Sequence, residues 1–274
     1  MNYLGGFYHE KVLTIAGSDS CGGAGIQADI KTMSSLGVYG MSIITAVTAQ
    51  NSIGVQDVHE VPKNMVEAQI KSVFDDIDVD AVKIGMLSNS ETIKSIKEYL
   101  EKYKAKNIVL DPVMVSKSGY FLLKPEAIEE LKKLISITNI VTPNIPEAEV
   151  LSKIEINSED DMKKAATIIQ AIGVKNVLVK GGHRCSDAND ILLYEDKFIT
   201  IPGNRIETKN THGTGCTLSS AIASYLAKGF NIEKSVSLSK EYITKAIENS
   251  FPIGEGVGPV GHFIELYKKA HLDF

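Results

Sequence analysis

The stretch NTHGTGCTLSSAIASYLAKG, Asn210 to Gly229, begins small and polar, with Gly213 and Gly215. It ends with apolar residues at helical spacing: Leu218, Ala221, Ile222, Tyr225 and Leu226. A glycine turn opening into a helix aims free backbone N–H groups forward, and such a helix start binds anions. Cys216 stands in that turn. A small buried thiol is the commonest fate of a lone cysteine. At a helix N-terminus its pKa should instead fall and its reactivity rise. No GxxxxGK[ST] occurs in the chain, which disfavours a P-loop as the phosphate holder.

Other candidates also follow apolar runs. AGSDSCGGAGIQAD, Ala16 to Asp29, carries Gly17, Gly22, Gly23 and Gly25. That spacing is not the GxGxxG of a dinucleotide loop. It reads as a tight turn, or as a loop whose Asp19 and Asp29 orient a small heterocycle. Asp111, in VLDPVMVSKSG, is a turn former before proline or a ligand at a strand end. Asn144 and Glu147, in TPNIPEAE, are three apart, one helical turn. An amide and a carboxylate on one face suit a hydrated magnesium ion, which takes few protein ligands. Alone, Asn144 reads as a helix cap. Lys180, in VKGGH, is an exposed lysine or a flexible cation reaching a phosphate.

The elements that must position these residues alternate. KVLTIAG, YGMSIITAVTAQ, DAVKIGML, NIVLDPV, NIVTPN and NVLVKGG read as strands. AGIQADIKTMSSLG, KNMVEAQIKSVFDDI, ETIKSIKEYLEKY and PEAIEELKKLI have helical periodicity, as does SEDDMKKAATIIQAIG. The last opens on Ser158 with Asp161 three residues on, a capping-box-like start, and stops at Gly173. DILLYEDKFITIPG predicts a hairpin turning at Glu195-Asp196-Lys197. Two helices follow, from Cys216 and from Ile232. Short apolar strands alternating with helices predict an α/β fold, a mostly parallel sheet covered on both faces. Ligands of such sheets gather beyond the carboxyl ends of the strands, where these candidates fall.

The 274 residues carry a formal net charge of −5, which argues against a general nucleic-acid binder. No apolar run is long enough to span a bilayer, and the N-terminus lacks the order of a signal peptide. Cys21, Cys185 and Cys216 are scattered without CxxC spacing, which suggests reduced thiols in a cytoplasm. No linker, repeat or composition shift divides the chain, so 1–274 reads as a single domain.

Together these segments resemble the ribokinase-like superfamily. More narrowly they are similar to the hydroxymethylpyrimidine/phosphomethylpyrimidine kinases of thiamin biosynthesis. The likeness runs from LTIAGSDSCGGAGIQADIKT through GVYGMSIITAVTAQN, KIGML, VLDPVMVSKSG, TPNIPEAE and VKGGH to KNTHGTGCTLSSAIA and GVGPVGHF. Most ribokinase-like sugar kinases have Gly-Ala-Gly-Asp in the last glycine motif; here Cys216 takes the place of that Asp base, or orients the acceptor hydroxyl. The resemblance implies ATP as phosphoryl donor, Mg2+, and a homodimer. It implies a pyrimidine pocket lined by Asp19, Ala24, Gln50, Met86 and Val113. Asp111, Asn144, Lys180, Thr211 and Gly213 would serve ATP, and Glu147, Asn144 and Asp111 the metal through waters. Gly213, Gly215 and Cys216 would form the catalytic turn. A pyridoxal/pyridoxine kinase of vitamin B6 salvage is the rival; Gln50-Asn51 and Lys117-Ser118-Gly119 match the pyrimidine kinases. Cys21, where Ser is common, and Ser116, where Ala is common, depart from the pattern. A non-catalytic vitamer-binding protein is disfavoured because Cys216, Glu147, Gly213 and Gly215 are all present.

Overall fold

The computed structural model describes residues 9–116, 119–182 and 188–272. Cys185 and the Lys117-Ser118 pair lie outside the described residues. Nine strands form one sheet in the order β3-β2-β1-β4-β5-β6-β7-β8-β9. They are β1 (Lys11–Asp19), β2 (Tyr39–Gln50), β3 (Val55–Glu60), β4 (Ala81–Ile84), β5 (Ile108–Leu110), β6 (Ile140–Val141), β7 (Asn176–Val179), β8 (Asp190–Tyr194) and β9 (Lys197–Ile201). The six strands from β2 to β7 are parallel. β3, β8 and β9 add antiparallel pairings at the two edges.

The helices are α1 (Gly25–Ser35), α2 (Lys63–Phe74), α3 (Ser90–Lys102), α4 (Ile128–Ile135), α5 (Ile145–Ser152), α6 (Glu159–Gln170), α7 (Thr214–Ala227), α8 (Ile232–Glu248) and α9 (Ile264–Lys269). Successive strand residues face opposite sides, and the two cores follow from that. Leu13 and Ile15 of β1 join Val82 and Ile84 of β4 in a large core under α2 to α6. Val12 and Ala81 point the other way, into a core shared with α1, α7 and α8. Each fully buried Val, Leu or Ile stabilises by about 1.5–3 kcal/mol, so these two layers hold the sheet edge on which the site is built.

β1 is the point where strand order reverses: β2 lies on one side of it and β4 on the other. The crevice beyond the carboxyl ends there is where ligands bind in such sheets. β1 ends at Asp19, β2 at Gln50, β4 two residues before Met86, β5 just before Asp111, and β7 just before Lys180. The expected gathering at one edge is therefore met.

Several elements differ from the sequence reading. β3 differs from that reading because an edge strand with no buried residue has no apolar alternation to detect. NIVLDPV yields only three strand residues, since Pro112 has no N–H for a ladder. α7 starts at Thr214, two residues earlier than expected. The β8–β9 hairpin turns on Glu195 and Asp196, both with positive φ, 48° and 58°. Among the described residues no helix is long and apolar enough to cross a membrane.

Candidate active site

The glycine turn is shaped by two close approaches. Gly213, with φ 79°, caps α7 in a left-handed conformation that other residues rarely adopt. A Cβ on Gly213 would lie 1.8 Å from the carbonyl oxygen of Gly23, so the two glycine loops touch. A Cβ on Gly215 would sit 3.2 Å from Asp111 Oδ2 and 3.3 Å from Lys180 Nζ. The bare backbone of Gly215 thus leaves an open cradle above that pair. The hydroxyl of Thr214 donates to the carbonyl of Thr211 at 2.8 Å, which tightens the turn. The Thr214 N–H donates back to the Thr211 carbonyl at 3.4 Å, and the N–H groups of Gly215 and Cys216 keep no intrahelical acceptor at the positive end of the helix dipole.

On the Gly213 side, Asp19 holds the first glycine loop. Its Oδ1 accepts from Cys21 N at 2.8 Å; its Oδ2 accepts from Gly23 N at 3.0 Å and Ala24 N at 2.8 Å. His212 Nε2 lies 2.9 Å from the same Oδ2. Burial opposes the Asp19 charge, but His212 and these backbone N–H groups hold its carboxyl below the ordinary value. An ionised carboxylate only accepts, so the imidazole nitrogen is the donor. Asp19 is 3% exposed and its acceptors are already used. It therefore shapes the wall of the expected pyrimidine pocket rather than offering a free carboxylate to a ligand.

Gln50 Nε2 stands 3.3 Å from the same His212 nitrogen, and Thr48 donates to Gln50 Oε1 at 3.1 Å. That nitrogen already donates to Asp19, so it cannot also accept from the amide. The amide N–H groups of Gln50 thus remain for another acceptor. Met86 completes this half: a Cβ on Gly17 would meet its sulfur at 2.8 Å. Val113 follows Asp111 and its N–H donates to the Asp111 carbonyl at 2.8 Å.

On the Gly215 side, Lys180 donates to Asp111 Oδ1 at 2.7 Å, and Asp111 is 1% exposed. Lys180 is held charged above its ordinary value: burial opposes this, but Asp111 and Glu147 outweigh it. Glu147 and Asn144 form a reciprocal capping box at α5, Asn144 N to Glu147 Oε2 at 2.8 Å and Glu147 N to Asn144 Oδ1 at 2.9 Å. The cap reading of Asn144 is met: its side-chain oxygen accepts from the Glu147 N–H. Burial pushes Glu147 up to about 7, with Asp111 adding to the rise; Lys180 and the N–H groups of Asn144 and Met114 pull the other way.

Cys216 stands between the two halves. Burial pushes the thiol up to about 11; Lys83 opposes this and the Asp29 and Asp111 carboxylates reinforce it. The expectation of a lowered pKa is therefore reversed: two nearby carboxylates and desolvation outweigh the helix N-terminus. Asp29 is also reassigned. It is fully buried and pairs with Lys83 at 2.9 Å, so it does not orient a heterocycle.

Two residues escaped the sequence reading. Lys83 was hidden in a strand read for Met86, although a lysine inside an apolar four-residue run was the available signal. His212 preceded the glycine turn, and only the fold brings it to Asp19, 193 residues away. Among the described residues no group of three or more His, Cys, Asp or Glu is arranged to hold a metal.

A parallel sheet switching at β1, with a glycine turn joining a polar pocket to a cation–carboxylate cradle, defines a small-molecule kinase of the ribokinase-like class. More narrowly, the chain belongs to the phosphomethylpyrimidine kinase family, whose model matches residues 19–261. It is 48% identical over 254 residues to a hydroxymethylpyrimidine/phosphomethylpyrimidine kinase of Streptomyces coelicolor, covering 92% of this chain and 93% of that one. It is 49% identical to a thiamine biosynthesis bifunctional protein of Geobacter sulfurreducens, spanning 94% of this chain but only 53% of that longer protein. The crystal structure of a phosphomethylpyrimidine kinase from Clostridium difficile superposes with a TM-score of 0.78 at 54% identity, covering 87% of this chain and 99% of that one. An ADP complex of Bacillus subtilis pyridoxal kinase superposes at 0.88 with 40% identity, over 93% and 98%.

Proposed function

We propose that this enzyme uses ATP to phosphorylate 4-amino-5-hydroxymethyl-2-methylpyrimidine to its monophosphate, and then to the diphosphate, in thiamin biosynthesis. One observation carries the reading: the turn at Gly213 and Gly215 touches the Gln50–His212–Asp19 pocket through Gly23 and the Asp111–Lys180 pair through Gly215. A phosphoryl group crossing from one half to the other passes the N-terminus of α7.

In this reading the Gln50 amide and the Met86 wall receive the aminopyrimidine, with Ala24 and Val113 beside it. Lys180, Thr211 and the Gly213–Cys216 N–H groups hold the phosphates. Phosphoryl transfer of this kind depends mainly on positioning and charge neutralisation. Its loose transition state asks for little deprotonation of the nucleophile in advance. A Cys216 thiol still protonated at neutral pH therefore orients the acceptor hydroxyl rather than serving as its base.

The donor set suits Mg2+. Asp111, beside the open Gly215 cradle, and Glu147, within electrostatic reach of Asp111, are hard oxygen donors, and a divalent cation would relieve the two buried carboxylates of their mutual repulsion. Asp111 and Glu147 would hold the ion, which would supply positive charge to neutralise the phosphates. We assign the working enzyme to the cytoplasm as a homodimer, on the family resemblance.

The experiment is ADP formation with ATP, Mg2+ and four acceptors: hydroxymethylpyrimidine, its monophosphate, pyridoxal and ribose. The reading expects both pyrimidines to turn over and ribose to fail. The superposition on pyridoxal kinases favours pyridoxal as the second reading, and a higher kcat/KM for pyridoxal would select it.

A further inference from the structure

Lys83 is fully buried in the middle of β4. Its neighbours Val82 and Ile84 face the large core, so Lys83 faces α1 and α7. Its Nζ lies 2.9 Å from each carboxylate oxygen of Asp29 on α1. Thr14 of β1 donates to Asp29 Oδ2 at 2.6 Å, and Ser220 of α7 donates to Oδ1 at 2.7 Å. All four side chains are completely buried. Burial opposes the lysine's charge, but Asp29, with Cys216 and Asp111, holds the ammonium above its ordinary value.

Stability alone is a poor reason for such a pair, since apolar replacements of a buried ion pair are often neutral or stabilising. Its position supplies another reason. Ser220 lies four residues after Cys216, one turn further along the same face of α7. Gly85 leaves room for the ammonium, for a Cβ there would lie 2.7 Å from Nζ, and Met86 comes next in the chain. The charged groups that face the Cys216 sulfur are Lys83 from β4, Asp29 from α1, Asp111 after β5 and Lys180 after β7.

We propose that Lys83, clamped to Asp29, is a positioning residue for phosphoryl transfer: through Ser220 the pair ties the first turn of α7, with its N–H groups and Cys216, to the central strands. The role presupposes the kinase reading above. The clamp joins two central strands, β1 and β4, to two helices of one layer, α1 and α7. A misplacement of the turn by about 1 Å is enough to cost roughly 100-fold in rate.

The test uses the full chain with Cys21→Ser and Cys185→Ser, so that iodoacetamide reports on Cys216. Asp29→Asn removes a carboxylate that opposes the thiolate and leaves the ammonium; alkylation at pH 9 should quicken by about threefold or more, half a pKa unit. Adding Lys83→Met removes the ammonium too. Lys83 acts on the sulfur more strongly than Asp29 does, so the double variant should be alkylated about threefold more slowly than the parent. General loosening would expose the thiol and speed both. The double variant should also lose kcat by about 10-fold to 100-fold, with KM for ATP moving less than about threefold. If it does not fold, Ser220→Ala decides. That variant keeps the ion pair and should lower kcat about threefold or more at unchanged KM, the scale of one hydrogen bond. Alkylation changes of the same sign in both Asp29 variants overturn the proposal. So does an unchanged kcat in the folded double variant or, where that variant does not fold, in Ser220→Ala. Alkylation needs neither ATP nor acceptor, so its outcome stands apart from any failure of the pyrimidine assignment.

Discussion

Cys216 should work as a protonated thiol, and its pH profile and its alanine variant should both say so. With the thiol pushed up to about 11, only about 3 in 10,000 molecules carry the thiolate at pH 7.5, because each pKa unit is tenfold. If the thiolate were the working base, kcat would climb about tenfold per pH unit from 7 to 10. An orienting thiol gives a flat profile over that range. The two roles also differ in the cost of Cys216→Ala. Losing one orienting hydrogen bond, about 0.5–1.5 kcal/mol, slows the reaction roughly 2-fold to 12-fold. Losing a general base costs about 100-fold to 10,000-fold. Cys216→Ser keeps a group that donates and accepts, and should lie between parent and alanine. The assay is a single-turnover transfer from ATP to hydroxymethylpyrimidine, which isolates the chemical step from product release. A slope of one in the pH profile together with an alanine loss above about 100-fold would refute the orienting role.

Gly215→Ala should fold as well as the parent or slightly better, because alanine favours a helix by about 0.5–1 kcal/mol, yet it should lose at least about tenfold in kcat as its methyl covers Asp111 and Lys180; thermal melting and steady-state kinetics check both halves. Gly213→Ala should fail in folding and activity together, since its Cβ meets the Gly23 carbonyl. Glu147, at about 7, must shed its proton to bind a cation, so Mg2+ affinity should fall about tenfold per pH unit as pH drops below 7, while Glu147→Gln binds weakly without that dependence. The raised folded-state pKa means that the folded form holds the proton longer between pH 4.5 and 7. Without Mg2+, parent stability should therefore drop as pH rises through that window, relative to Glu147→Gln. Gln50→Met should cut kcat/KM for hydroxymethylpyrimidine by roughly 10-fold, the scale of a buried hydrogen bond left unmade, and pyridoxal turnover by less; equal losses would remove Gln50 from specificity.

The sheet was legible because its strands are apolar, short and separated by capped helices. The site was legible where residues follow strands, since the carboxyl-end rule needs only the strand ends. Asp111 and Lys180 were found that way, while Gln50 and Met86 came from the family resemblance. What remained hidden depends on contacts made across the chain. The pKa of Cys216 reads as lowered from a helix start alone, and as raised once the thiol is buried with Asp29 and Asp111 packed near it. The Asn144–Glu147 spacing fits a metal face and a capping box equally well, and only the folded chain shows that the box forms. Lys83 opens the KIGML run, but nothing in that run gives it a role; its meaning comes from Asp29, 54 residues earlier in the chain.

The central claim is that one glycine turn serves two successive transfers onto a pyrimidine held beside Gln50. The most direct measurement is 31P NMR of the enzyme with ATP, Mg2+ and hydroxymethylpyrimidine, followed to completion. The account predicts a monophosphate resonance that rises and then gives way to the paired, mutually coupled resonances of a diphosphate. A product that stops at the monophosphate, or a mixture with pyridoxal in which pyridoxal phosphate forms first, would contradict it.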